Sequence, residues 1–189
     1  AKKGFLTKFL RICIETLSSL PSIVVGLFGY LVFLVFFGLG KSLLAGALSI
    51  SILAIPVITT TTEDAINGLP GHYLQASLGL GATRWQSIYK VVIPAAGSGI
   101  LSGIILGLAR AFGEALAVAM VIGQTTALPK GLFSTTKSLT TEIAAQMGNA
   151  TEGGEMKTAL WTMALLLFLL SLLFILLIHY FSRPKKEKE

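Results

Sequence analysis

The chain has 189 residues, 53% hydrophobic and only 13% charged, with a mean hydropathy of +0.79 and a formal net charge of +6. These values lie outside those of a soluble globular domain and point to a bilayer as the solvent. The basic excess does not suggest nucleic-acid binding, because apolar runs divide the Lys and Arg residues instead of gathering them on one face. A lone cysteine, Cys13, excludes an intrachain disulfide and a thiolate metal cluster.

Four apolar windows, near 16–40, 42–62, 91–123 and 158–181, approach the roughly 20 residues that cross a hydrocarbon core of about 30 Å. They predict an all-α polytopic membrane helix bundle, with residues 1–189 forming a single transmembrane domain. Lys2, Lys3, Lys8 and Arg11 precede the first window, Arg84 and Lys90 lie between the second and third, and Arg183, Lys185, Lys186 and Lys188 follow the last. Only Lys41, Lys130, Lys137 and Lys157 fall in the other two connections, so the positive-inside bias assigns both termini and the 63–90 loop to the cytoplasm of a multi-pass cell-membrane protein.

Between the first two windows, Gly38-Leu39-Gly40-Lys41 reads as the turn of an antiparallel hairpin. The tripeptide Gly40-Lys41-Ser42 resembles the end of a phosphate loop. However, Val35 stands where that motif requires glycine, and no strand precedes it, so any ATP must be used by another chain.

The 63–90 loop carries turn residues from Gly68 to Gly71, a helix-compatible run from His72 to Leu80, and Gly81 as its stop. Thr83 and Gln86 have capping-box spacing for a helix that enters the third window. A short helix lying across the membrane surface follows. Its Ala76, Ser77, Gly79 and Gly81 leave room for another backbone, while Tyr73, Leu74 and Leu78 offer apolar contacts. That combination suits a docking element, and it also fits a plain amphipathic helix in the headgroups.

In the third window, Ala95, Gly99, Gly103, Gly107 and Ala111 recur every fourth position, a spacing that lets two helices approach closely and suggests contact between two subunits. The same window holds Arg110 and Glu114. A charge deep in a bilayer costs about 2.5–3.5 kcal/mol or more, so such residues face a bundle interior or a wet cavity. Spaced i and i+4, they fall on one helix face and are able to pair with each other. One reading is a structural ion pair. The other places Arg110 in a substrate path, with Glu114 holding its guanidinium.

The 124–157 connection, external in this topology, has Leu139, Ile143 and Met147 at helical spacing and Gly148 as a stop. His72 and His179 belong to no metal-ligand spacing, and no nucleophile sits beside a base. No metal site, cofactor or hydrolytic activity is expected.

The stretch from Gln75 to Pro94 resembles the signature of ABC-importer permeases: Glu-Ala-Ala, three residues, Gly, nine residues, Ile, any residue, Leu-Pro. Gln75-Ala76-Ser77 stands for the triplet, Gly81 for the glycine, and Val91-Val92-Ile93-Pro94 closes the pattern. Gln75 replaces the usual acid and Ser77 the second alanine. The resemblance implies a type I importer permease fold in which this segment is the cytoplasmic coupling helix, seated in a cleft of the ATP-hydrolysing subunit.

"ETLSSLPSIVVGLFG" from Glu15, "RAFGEALAVAMVIG" from Arg110 and "SLTTEIAAQMG" from Ser138 are similar to the phosphate-specific transport (Pst) permeases, to PstC-like subunits more than PstA-like ones. The resemblance covers Lys8 to about Phe181 and corresponds to the later part of a family member, so further membrane segments are expected upstream. It implies ABC ATPase subunits, a second permease subunit, an extracytoplasmic phosphate-binding protein, phosphate and membrane lipid as partners. Arg110 would then suit phosphate, because its planar fork donates two hydrogen bonds to one oxyanion. A permease for molybdate, sulfate or an amino acid, or a channel or structural membrane protein without an ATPase partner, are the competing readings.

Overall fold

The computed structural model describes residues 4–181. Lys2, Lys3, Arg183, Lys185, Lys186 and Lys188, which contribute to the expected orientation, lie outside the described residues. Those described are helical or in turns and loops, in the order α1 (Phe5–Ser19), α2 (Ser22–Phe36), α3 (Leu43–Asn67), α4 (His72–Gly79), α5 (Arg84–Ala95), α6 (Gly97–Gly113), α7 (Leu116–Val121), α8 (Leu139–Gln146) and α9 (Glu155–Phe181). By length and composition α3 and α9 are each able to cross a membrane, and two bent pairs, α1 with α2 and α5 with α6, qualify if each is counted as one span.

Both bends have local causes. Leu20 (φ −70°, ψ 135°) and Pro21 (φ −59°, ψ 140°) are extended, as a residue before proline and a proline at a helix start prefer to be, and α1 turns 107° away from α2. Thr16 to Ser19, expected at the start of the first span, therefore belong to a differently directed helix. In the third window Pro94 offers no N–H, the backbone before it widens into a π-helical turn over Ile88–Val92, and the axis bends by 65° at Ala96. A second π-helical stretch, Tyr30–Phe36, finishes α2, with the Phe37 N–H reaching back five residues to the Val32 carbonyl at 3.0 Å.

α3 begins at Ser42, whose hydroxyl accepts from the Ala45 N–H at 3.2 Å. The N–H groups of Ser42, Leu43 and Leu44 donate to the carbonyls of Val121, Ser134 and Leu132. The start of α3 is thus closed by the chain's own carbonyls, consistent with rejecting a phosphate loop there. Pro56, fully buried within α3, removes one helical hydrogen bond, and Thr60 bonds its hydroxyl back to the Pro56 carbonyl at 2.9 Å.

The core is small and sits where α2, α3 and α7 meet, around Val25, Leu53 and Ala117. Backbones touch closely there: a Cβ on Gly26 would stand 2.7 Å from the Ala117 Cα. α9 flanks α6, with the Phe112 and Phe174 rings 4.9 Å apart between centroids, while its Trp161, Phe168 and Leu172 are exposed.

Candidate functional site

Two regions carry the residues singled out by the sequence. The first is the elbow between α3 and α6. The chain turns after α3 at Gly68, runs through α4, and reverses at Gly81, whose φ of +86° lies in the left-handed region that favours glycine. Thr83 then caps α5 in the anticipated box: its hydroxyl accepts from the Gln86 N–H at 3.3 Å, and its own N–H donates to Gln86 Oε1 at 2.9 Å. Two well-formed ends therefore set the direction of α4.

Tyr73, Leu74, Gln75, Ala76, Leu78 and Gly79 are all exposed on α4, and the His72 and Tyr73 rings stack at 4.7 Å. Ser77 is the exception. It is buried, and its hydroxyl lies 2.9 Å from that of the fully buried Ser87 on α5, which donates on to the Thr83 carbonyl at 3.1 Å. The serine counted among the small residues of a docking surface instead bolts α4 to the helix behind it. A serine ten residues away has no periodic relation to Ser77, so no one-dimensional pattern announces this pair.

The second region is α6 and the break after it. Gly99, Gly103 and Gly107 lie against α3 in antiparallel register. A Cβ at Gly99 would collide with that of Ala65, one at Gly103 would stand 3.2 Å from the Thr61 Cβ, and one at Gly107 would collide with the Ile58 side chain. The stripe is thus occupied within this chain, where contact between subunits was anticipated. Ala95 falls before the bend at Ala96 and is not part of this face.

At 100° per residue Arg110 lies on the same face one turn beyond Gly107. It is exposed, as are Ser51 and Ile55 of α3, so the seam that closes around the glycines opens at this level. Continuing the register sets Arg110 level with the turn of α3 before Ala54, near the middle of the uncharged stretch Leu43–Thr62. Arg110 and Glu114 make no ion pair with each other.

The expected shared helical face is lost because α6 ends at Gly113 and Glu114 is extended (φ −75°, ψ 124°). Its Oε1 accepts from the Ala117 N–H at 3.1 Å, capping α7, and its carbonyl accepts from the Thr140 hydroxyl at 2.8 Å. The helix dipoles favour this division, with the cation in the last turn of α6 and the carboxylate at the first turn of α7.

Glu114, Ser138 and Thr140 edge a cavity of about 530 Å³ whose other walls, including Leu43, Ile50, Phe112 and Leu167, are apolar. Arg110 does not line it, and the wall chemistry is unsuited to a hydrated anion. Thr140 reaches Glu114 because α8 starts at Ser138 with its own capping box, closed by Thr141; the Ser-x-x-Thr spacing was the available signal for it. Beside that cap, Lys137 and Glu142 form a half-buried ion pair at 2.7 Å.

Residues 1–187 match the family described as the binding-protein-dependent transport system inner membrane component. The chain belongs to this family of ABC permeases. It is 46% identical over 185 residues to the probable ABC transporter permease protein YqgH of Bacillus subtilis (strain 168), covering 95% of this chain and 60% of that one. It is 31% identical over 199 residues to the phosphate transport system permease protein PstC of Haemophilus influenzae, covering 92% and 62%. It is 34% identical over 185 residues to the phosphate transport system permease protein PstA 2 of Mycobacterium tuberculosis (strain CDC 1551 / Oshkosh), covering 96% and 62%.

The chain thus spans about three fifths of the length of these permeases. For a permease, the all-α fold and the apolar helices place it within a membrane, and the short α4 between α3 and α5 is the element that carries Gln75-Ala76-Ser77 and leads to Gly81.

Proposed function

We propose that the chain is the membrane-spanning subunit of an ATP-driven importer that moves inorganic phosphate across the cell membrane by alternating access. The observation that carries this reading is Arg110: an exposed guanidinium, without an ion pair among the described residues, level with the middle of an apolar span. Such a charge is tolerated where it faces a wet passage or a partner. Its bidentate donor geometry suits a tetrahedral oxyanion, and relatives at 31% and 34% identity are named as phosphate permeases. Glu114, engaged as a cap, leaves Arg110 available.

In this reading the four apolar segments are the membrane spans, with both ends of the chain and the 63–90 loop in the cytoplasm. The exposed surface of α4 (Tyr73, Leu74, Gln75, Ala76, Gly79), with the turn at Gly81, seats in an ATPase subunit that hydrolyses ATP while this chain performs no chemistry. Nucleotide-dependent movement of α4, transmitted through Ser77 and Ser87 to α5 and α6, then biases the bundle between its two access states. Arg110 faces a second permease subunit across the passage, PstC-like pairing with PstA-like, and the 124–157 connection receives the phosphate-binding protein.

The test is the complete transporter in proteoliposomes with its binding protein, assayed for ATPase activity stimulated by phosphate, molybdate, sulfate or amino acids. Stimulation by phosphate supports the proposal. Stimulation by another of these solutes alone overturns the substrate, and purification without any nucleotide-binding subunit, with transport indifferent to Gly81→Val, overturns the coupling.

A further inference from the structure

The transport reading gives α1 no role beyond its last turn, yet one side of this helix is broadly apolar and open. At 100° per residue, Ile12, Phe5, Phe9, Leu6 and Leu10 form one broad arc, and Thr7, Ser18, Arg11, Glu15 and Lys8 form the opposite one. The apolar arc is open: Phe5 is 87% exposed, Leu6 68% and Phe9 54%. We infer that α1 is an in-plane membrane-surface helix, its Phe5, Leu6, Phe9 and Ile12 sunk into the headgroup–acyl boundary of the leaflet on the α4 side.

Three independent features select lipid as the occupant. The first is direction. α1 makes an angle of 107° with α2, a helix that enters the bundle core, so a chain whose α2 crosses the bilayer must lay α1 close to its plane.

The second is depth. Arg11 Nη2 is 3.1 Å from Glu63 Oε1, and Arg11 Nε is 3.3 Å from Glu15 Oε1. Glu63 is the first charge after the Leu43–Thr62 stretch of α3, whose length of roughly 30 Å matches the hydrocarbon core. The ion pair therefore pins the polar edge of α1 at the level where hydrocarbon gives way to headgroups.

The third is polarity. With Arg11 and Glu15 paired on the polar arc, Lys8 supplies a cation beside the arc's border, where anionic headgroups lie. The apolar arc points away from these charges, as a helix half-immersed in an interface requires. The inference uses only the membrane placement of the bundle and is independent of what the permease carries.

The experiment uses the complete transporter in nanodiscs of mixed phosphatidylcholine and phosphatidylglycerol, with Cys13→Ser and the reactive cysteines of the other subunits replaced. Nitroxides are attached at Phe9→Cys, Leu6→Cys and Ser18→Cys in turn, and collision rates with oxygen and with a water-soluble nickel chelate are compared. At Phe9 and at Leu6 oxygen should exceed nickel several-fold, and at Ser18 the order should reverse.

Low collision with both reagents at Phe9 and Leu6 would mean that a protein segment or subunit covers the arc, and would overturn the inference. Nickel equal to or above oxygen at both sites would put the arc in water and overturn it equally. Should Phe9→Cys fail to assemble, Leu6→Cys, nearer the end of α1, decides alone.

Discussion

Along α6 a single face meets α3 in two ways. Around Gly99, Gly103 and Gly107 the helices approach until a methyl group would not fit, and one turn later the same face carries Arg110 and the seam stands open. In a bilayer no hydrophobic gain draws one helix to another, so contact of small residues supplies the attraction. A long cation on the same stripe removes that contact and creates a position that another chain, water or a ligand must satisfy. One helical face is thus a static joint over half its length and an open, charged surface over the rest.

The largest expected effect breaks the open half. Charge-assisted hydrogen bonds are worth about 1.5–3 kcal/mol each, so Arg110→Ala should lower phosphate uptake roughly a hundredfold while the subunits still co-purify, and Arg110→Lys, with no planar fork, should retain little. Normal uptake by the alanine variant, measured in proteoliposomes, would leave Arg110 without a role in transport.

The closed half should respond in stability. Gly99→Ala sets its new methyl against the Cβ of Ala65, which has no rotamer to yield, and should destabilise the permease by about 1–3 kcal/mol. Gly107→Ala meets Ile58, whose side chain is able to rotate, and should cost less. Thermal unfolding in detergent gives the order, and equal losses would mean that α6 is not held against α3 at this register.

The junction between the halves is probed at Glu114. Glu114→Gln keeps an oxygen for the Ala117 N–H and should leave stability and uptake nearly unchanged, whereas Glu114→Ala should cost about 1 kcal/mol as a lost cap. If Glu114→Gln abolishes uptake as fully as Arg110→Ala, the carboxylate's charge matters and the two residues act together after all.

The smallest effect belongs to the elbow. Ser77→Ala and Ser87→Ala should each cost about 1 kcal/mol or less, and the double variant less than their sum, because removing both hydroxyls leaves no buried partner unsatisfied. Strict additivity of the two would deny the bond between them.

The elbow was largely legible because its signals are local. Gly68, Gly81, Thr83 and Gln86 act through backbone conformation and hydrogen bonds a few residues long, and the structure places turn, stop and cap where these residues stand. The third apolar window was less legible for the same reason inverted. Its hydropathy continues through Pro94 and Gly113, but hydropathy does not register direction, and the chain bends at the first and breaks after the second. The π-helical stretch Tyr30–Phe36 had no periodic signature either, since it is apolar at every position and leaves no stripe whose shift could be seen.

Composition and spacing alone determined that the chain is a helical membrane protein, that a short helix between two turns separates α3 from α6, and that Gly99, Gly103 and Gly107 form a close-packing face. Each follows from one residue type's own energetics, whether apolar transfer, backbone freedom or lack of a side chain. The tertiary structure alone decided which helix fills that face, that Ser77 turns inward to Ser87, and that Glu114 caps α7 instead of pairing with Arg110. These outcomes depend on what another segment brings into reach, because a polar group shielded from water is satisfied by whichever partner the fold sets beside it.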